Sequence, residues 1–207
     1  MIRSILTAAA VSLLGLLPAK ATTLTYSLNV DNAFTAYIST DNSVAGTNIG
    51  SGSMWPTTYS ASATLIDGVT NYLHIAAVDF ARPAMLLGLF TLSDSDFAFA
   101  NGTQRMVSGD PGLTVSDNGW SAFTATANLG PNGTSPWGLR GPAADARYVW
   151  HQNPATSVAY FTAMLSYQGP PVTETPSPSQ VPLPAGLPLI LTGLLGLGVL
   201  RRRQANG

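Results

Sequence analysis

Two tryptophans in loop-like surroundings are the residues best suited to bind a ligand. Trp55 and Trp137 stand beside proline and glycine, in residues 52–56 and 135–138, and this composition predicts loops. An indole face stacks on a pyranose ring, while carboxylate, amide or guanidinium groups beside it bond the sugar hydroxyls. We therefore interpret both tryptophans as candidate sugar-binding residues. The alternative is that they cap the open end of a hydrophobic core.

Four acidic or amide side chains could support a ligand or a cation. Asp31 and Asn32 precede a strand-like run, where they either reach a ligand or shape an Asx-type turn. Asp94 and Asp96 are alternate carboxylates with the hard oxygen ligands that Ca²⁺ prefers, but no glycine or distal glutamate completes an EF-hand-like loop. We predict no metal site and no cofactor, and keep calcium at Asp94 and Asp96 as the alternative.

The sequence offers little for catalysis. It contains no cysteine, which excludes disulfides, thiolate nucleophiles and cysteine-ligated metals. His74 and His151 are its two histidines, and they lack the spacing of a zinc site. No nucleophile with its base and no carboxylate pair stands in a recognisable motif. We predict that the protein is not an enzyme.

The charge of the chain is distributed unevenly. The formal net charge is −1, but residues 22–180 carry four arginines against ten carboxylates, for a formal charge of −6. Such a surface repels phosphate backbones, so we predict no binding to nucleic acid.

The segments that would position these residues are predicted to be β-strands. Short runs of Thr, Ser, Ala, Val and aromatic residues alternate with Gly, Pro, Asn or Asp, which predicts an all-β sandwich in residues 22–168. Trp120 and Trp150 fall inside strand-like runs and are interpreted as core. The predicted strands are 23–30, 33–39, 59–65, 72–80, 85–92, 120–125, 147–151 and 158–167.

The N-terminal 21 residues have the pattern of a secretory signal peptide. Arg3 precedes an apolar helix-forming stretch over residues 5–17, and Ala19 and Ala21 form a small-x-small cleavage site around Lys20. We predict a signal helix and a mature chain that begins near Thr22. The alternative is an anchor that stays uncleaved.

The C-terminal end has three parts after a Pro/Ser/Thr-rich linker at residues 169–180. An apolar helix is predicted over 185–200, about 24 Å long at roughly 1.5 Å per residue, against a hydrocarbon core of about 30 Å. The flanking arginines can snorkel, so a thin-bilayer or transient span is expected. The motif before the helix is Val181, Pro182, Leu183, Pro184, Ala185 and Gly186, and the cluster after it is Arg201, Arg202 and Arg203.

This layout over residues 181–207 closely resembles the PEP-CTERM sorting signal in its Val-Pro-Leu-Pro-Ala variant. The glutamate of the Pro-Glu-Pro sequence that gives the family its name is absent. The resemblance implies export in a Gram-negative bacterium, recognition by an exosortase-type membrane transpeptidase, and removal of the tail. Delivery to the cell surface or extracellular matrix would follow.

The mature domain resembles galactose-binding-like jelly rolls. The phrases that carry the resemblance are Val30-Asp-Asn-Ala-Phe-Thr-Ala-Tyr-Ile38, then residues 65–77, 82–86 and 146–150, although a longer loop over residues 39–52 replaces the usual Asn-Gly hairpin. The resemblance implies a jelly-roll-like antiparallel β-sandwich of the kind often joined to enzymes as a carbohydrate-binding module.

Together these patterns predict an exported surface protein that binds extracellular polysaccharide without catalysis. The alternative is a structural or adhesive surface protein that contacts other proteins and has no sugar site. A shallow aromatic groove with converging polar groups would favour the first function. A flat apolar patch or an unpaired edge strand would favour the second.

Overall fold

The computed structural model describes residues 21–141 and 143–171, and this part of the chain is all β, as predicted. Its 13 strands are β1 (Thr23–Asp31), β2 (Ala33–Ser39), β3 (Thr47–Gly52), β4 (Tyr59–Thr64), β5 (Asn71–Val78), β6 (Met85–Leu92), β7 (Phe97–Phe99), β8 (Arg105–Val107), β9 (Leu113–Ser116), β10 (Thr124–Ala125), β11 (Ala127–Pro131), β12 (Arg147–Trp150) and β13 (Val158–Tyr167).

The strands form two antiparallel sheets, which confirms the predicted β-sandwich at this level. Sheet A has the order β11-β12-β6-β1-β4, with β8 also pairing with β6. Sheet B has the order β10-β9-β13-β5-β2-β3, with β7 also pairing with β13. Successive strands repeatedly change sheet, so the two layers are built together along the chain.

Alternation along each strand creates the main core between the sheets. In β1 the apolar side chains Leu24, Tyr26 and Leu28 are buried, while Thr25 and Ser27 are directed to the other face and bond hydroxyls of β4. A period of two is what a strand with one buried face requires. The same alternation on β2, β5, β6 and β13 fills the space between the sheets with aliphatic and aromatic groups.

A second hydrophobic cluster covers the outer face of sheet A. Met85 and Leu87 on β6 and Tyr148 on β12 are directed away from the main core, and the loop that precedes β12 places Trp137 and Ala146 on them. Each of these side chains is at most 5% exposed. Sheet A is therefore buried on both faces over this area.

Thr22 is bonded into the sandwich at the start of the described chain. Thr22 is fully buried, its carbonyl accepts the backbone N–H of Leu65 at 2.9 Å, and its hydroxyl donates to Asp94 Oδ1 at 2.6 Å. Ala21 is exposed. Among the described residues the structure contains no helix of the length and apolarity that crossing a bilayer requires. The signal stretch up to Lys20, the end of the linker and the sorting tail lie outside the described residues.

The predicted strand at residues 120–125 is wrong in its first half. Residues 117–123 form a loop, and only Thr124–Ala125 pairs with β9. Trp120 therefore belongs to a loop and lies outside the hydrophobic core, contrary to our interpretation of it as core. The short strands β3, β7, β8, β9 and β11 were not predicted.

Candidate functional site

Five ring side chains meet on the outer face of sheet B. We call this group the aromatic platform: Tyr37, Tyr72, His74, Trp120 and Tyr160. Four of them stand on β2, β5 and β13, at positions that alternate with core residues, so they are directed away from the sandwich interior. Tyr37 is paired with His74 in the β2–β5 register, which brings these two rings to neighbouring strands at the same level.

Trp120 reaches the platform from the β9–β10 loop. Its ring stacks on His74 with the centroids 4.4 Å apart and the planes at 17°. The edges of Tyr160 and Tyr37 contact it at 5.0 and 6.1 Å, both nearly perpendicular. Trp120 is only half-buried, so part of the indole stays open to solvent above the sheet.

His74 is the buried centre of the platform. Its Nε2 lies 3.1 Å from Asn42 Oδ1, and its Nδ1 lies 3.2 Å from the carbonyl oxygen of Ala45. Asn42 Oδ1 also accepts the hydroxyl of Thr162 at 3.0 Å, which fixes the loop after β2 against β5 and β13. Burial lowers the pKa of His74, an effect that its hydrogen bond with the Ala45 carbonyl opposes.

The polar atoms of the platform are largely unused. Within residues 21–141 and 143–171, the hydroxyls of Tyr37, Tyr72 and Tyr160 and the indole N–H of Trp120 make no hydrogen bond to the protein, and all four side chains are partly exposed. Tyrosine and tryptophan normally bond these groups when buried. The platform thus combines ring faces with four hydrogen-bonding groups that are open to a ligand.

Trp137, a predicted ligand-binding residue, is buried instead of exposed. Its indole N–H donates to Asp31 Oδ2 at 3.0 Å, and its ring lies 4.9 Å from that of Tyr148. Burial raises the pKa of Asp31, an effect that the hydrogen bond from Trp137 opposes and that the charge of Asp79 increases. The structure therefore joins two predicted site residues, but in a packing role that matches the capping alternative for Trp137.

Asn32 and Trp55 also have protein partners. The side-chain oxygen of Asn32 accepts the backbone N–H of Phe80 at 2.6 Å, a bond between residues 48 positions apart. It joins the end of β1 to the segment after β5 and is not the local Asx-type turn that the sequence suggested as the alternative. Trp55 is half-buried in a loop, as predicted, and the Arg140 guanidinium covers its ring at 4.6 Å from the centroid. Neither residue lies in the aromatic platform, and the ligand-binding role stays a prediction for both.

The aspartates considered for calcium hold the local backbone. Asp94 Oδ1 accepts the N–H of Asp96 at 3.2 Å in addition to the hydroxyl of Thr22. In the described part of the chain, no three His, Cys, Asp or Glu side chains come together as a metal-binding group.

The sequence contains a signal for the platform that our strand prediction missed. Asn118-Gly119 is a turn dipeptide directly before Trp120, and Gly119 has a φ of +63°. A break at that point places the tryptophan in a loop instead of a strand. The alternating positions of Tyr37, Tyr72 and Tyr160 then place all three on the face that this loop covers.

Comparison with known proteins adds no relative: no family model matches the chain, and no curated protein or solved structure matches it.

Proposed function

We propose that this domain binds extracellular polysaccharide without catalysis, and that the aromatic platform is its binding site. The observation that supports the proposal is a set of polar groups on the platform that have no hydrogen-bond partner in the described part of the chain: three tyrosine hydroxyls and one indole N–H beside partly exposed rings. Sugar rings present C–H faces that pack on aromatic rings and hydroxyls that bond such groups.

The platform also suits an uncharged glycan chain. Its members are four neutral aromatic residues and His74, whose neutral form burial favours by lowering its pKa. On the neighbouring strands, Ala76 pairs with both Tyr160 and Thr35, so small side chains continue the face beside Trp120. A shallow surface of this kind contacts several units along a chain instead of enclosing one.

The proposed setting is the cell surface or matrix of a Gram-negative bacterium. Support comes from the sequence: the signal pattern that ends at Ala21 and the Val181–Gly186 motif with Arg201–Arg203, which resemble an exosortase-handled tail. The membrane would hold the chain transiently through residues 185–200. The jelly-roll arrangement of the sandwich belongs to the same proposal, supported by the sequence phrases that resemble galactose-binding-like domains.

A glycan array tests the binding site. We expect the full-length protein, purified in a detergent that is not a glycoside, to bind neutral polysaccharides, and Trp120→Ala to weaken that binding at least tenfold, as loss of an aromatic anchor does. Trp55→Ala is the matched control, because Trp55 is also a half-buried loop tryptophan but lies outside the platform. If Trp120→Ala still binds and Trp55→Ala does not, the binding site lies at Trp55 and not at the aromatic platform.

A second candidate function is contact with other proteins. β3 and β4 are the outermost strands of their sheets, and between them runs an open groove of about 500 Å³ lined by Ile38, Ile49 and Ile66, of which Ile66 is 60% exposed. Unpaired edges and exposed aliphatic groups favour protein partners. A protein that binds no glycan on the array would make this the leading function.

A further inference from the structure

A small pocket opens where the β5–β6 connection meets the end of β12, away from the aromatic platform. It has a volume of about 170 Å³ and shares no residue with the platform. The residues that define it are Arg82, Pro83, Trp137, Trp150, His151 and Pro154.

The two tryptophans form walls that are fixed before any ligand arrives. The indole N–H of Trp137 donates to Asp31 Oδ2, and that of Trp150 donates to the carbonyl of Thr156, both at 3.0 Å. The side chains are only 5% and 2% exposed, so each adds a small area to the pocket wall, and its indole N–H is already bonded. Rings held in this way lose little freedom when a ligand packs on them.

Arg82 places a positive charge at the rim of the pocket. Within the described residues its guanidinium makes no ion pair or hydrogen bond, although it is exposed. Two other arginines are engaged: Arg105 forms a bidentate pair with Asp145 at 2.7 and 2.9 Å, and Arg140 donates to the Trp137 carbonyl at 2.7 Å. A free guanidinium beside apolar walls matches a carboxylate, which it can bind through two parallel hydrogen bonds.

His151 adds a directed donor. Its Nδ1 accepts the backbone N–H of Asn153 at 3.1 Å, so in the neutral ring the proton is on Nε2. Asp117 Oδ2 is 3.9 Å from Nε2, which is beyond hydrogen-bond range. The Nε2 proton is therefore available to a ligand oxygen.

We propose that this pocket binds the terminal ring of an acidic sugar, such as a uronic acid. The sugar ring would contact the apolar wall, to which Trp137 and Trp150 each contribute a small area. The carboxylate would pair with Arg82, and an oxygen of the sugar would accept the Nε2 proton of His151. The volume of about 170 Å³ suits one sugar ring. That the ligand is a saccharide is inferred from the proposed function. That it carries a carboxylate is inferred from Arg82 alone.

Methyl glucuronide and methyl glucoside test the proposal, since they differ only in a carboxylate or hydroxymethyl group. Titrated by calorimetry into the full-length protein in a non-glycoside detergent, the glucuronide should bind at least tenfold more tightly than the glucoside. Arg82→Gln should abolish this preference, Arg82→Lys should retain part of it, and Trp120→Ala should leave it unchanged. Because Arg82 is exposed, neither substitution at this position removes a core contact.

Equal affinity for both sugars, no detectable binding of the glucuronide, or a preference that survives Arg82→Gln would each overturn the proposal. These outcomes differ from a failure of the platform. That failure would appear as binding to a neutral polysaccharide that Trp120→Ala does not weaken.

Discussion

The outer faces of the two sheets carry similar residues in different states. On sheet A, a loop places Trp137 over Tyr148, the indole N–H is bonded to Asp31, and the surface is sealed. On sheet B, a loop places Trp120 over His74, but its indole N–H and the hydroxyls around it bond no group within residues 21–141 and 143–171. Trp137 is part of a buried hydrophobic cluster, whereas Trp120 is part of a partly exposed aromatic surface.

The difference shows that the partner of the polar atom, and not the residue type, indicates which role a loop tryptophan has. A buried indole N–H without an acceptor costs free energy. A tryptophan that stabilises the core therefore has a hydrogen-bond acceptor for its N–H. A tryptophan that serves binding can leave its N–H to water until a ligand replaces the water.

Truncating the two loop tryptophans should separate these roles most strongly. Trp137→Ala should lower the free energy of unfolding by about 3–5 kcal/mol, because it removes a buried ring and leaves Asp31 without its donor. Trp120→Ala should cost about 1 kcal/mol, since the ring is half-buried and its indole N–H has no partner among the described residues. Urea denaturation followed by circular dichroism measures both. Equal losses would contradict the comparison.

Removing single hydroxyls gives a finer test. Tyr148→Phe should cost about 1 kcal/mol, because this hydroxyl bonds Asn132 Oδ1 at 3.2 Å and the carbonyl of Gly138. Tyr160→Phe should leave stability within about 0.5 kcal/mol of the parent, because its hydroxyl has no protein partner among the described residues. A marked loss of stability in Tyr160→Phe would mean that the platform hydroxyls are structural.

The smallest expected effect is the dependence of folding stability on pH that protonation of His74 causes. Its pKa is lower in the folded protein than the ordinary 6.5, so the unfolded chain binds the proton more readily. The stability linked to this ring is complete above about pH 6.5 and is lost as the pH falls toward the folded-state pKa. His74→Gln should reduce the loss of stability between pH 7 and pH 5 in thermal unfolding curves. If His74→Gln loses as much stability as the parent protein between pH 7 and pH 5, the prediction is wrong.

The sequence predicts the layers better than it predicts the site. Apolar and polar residues alternate in residues 23–30 and 158–167, which predicts two long strands. This alternation is expected of a strand that has one buried face. The exposed or sealed state of Trp120 and Trp137 depends on where a loop folds back, and local spacing carries no such information. Trp137 bonds Asp31 across 106 positions of sequence, a contact that only the tertiary structure creates.

The place of β13 in sheet B has a consequence for biogenesis. This strand joins β9 and β7 to β5, so it holds together parts of the sheet that are otherwise separate. It is also the last strand of the described chain to be synthesised, and it carries Tyr160. Strands β2, β3 and β5 can pair before β13 exists, but β9 and β7 join sheet B only through β13. The sheet and the aromatic platform are therefore complete only after residue 167 has been synthesised.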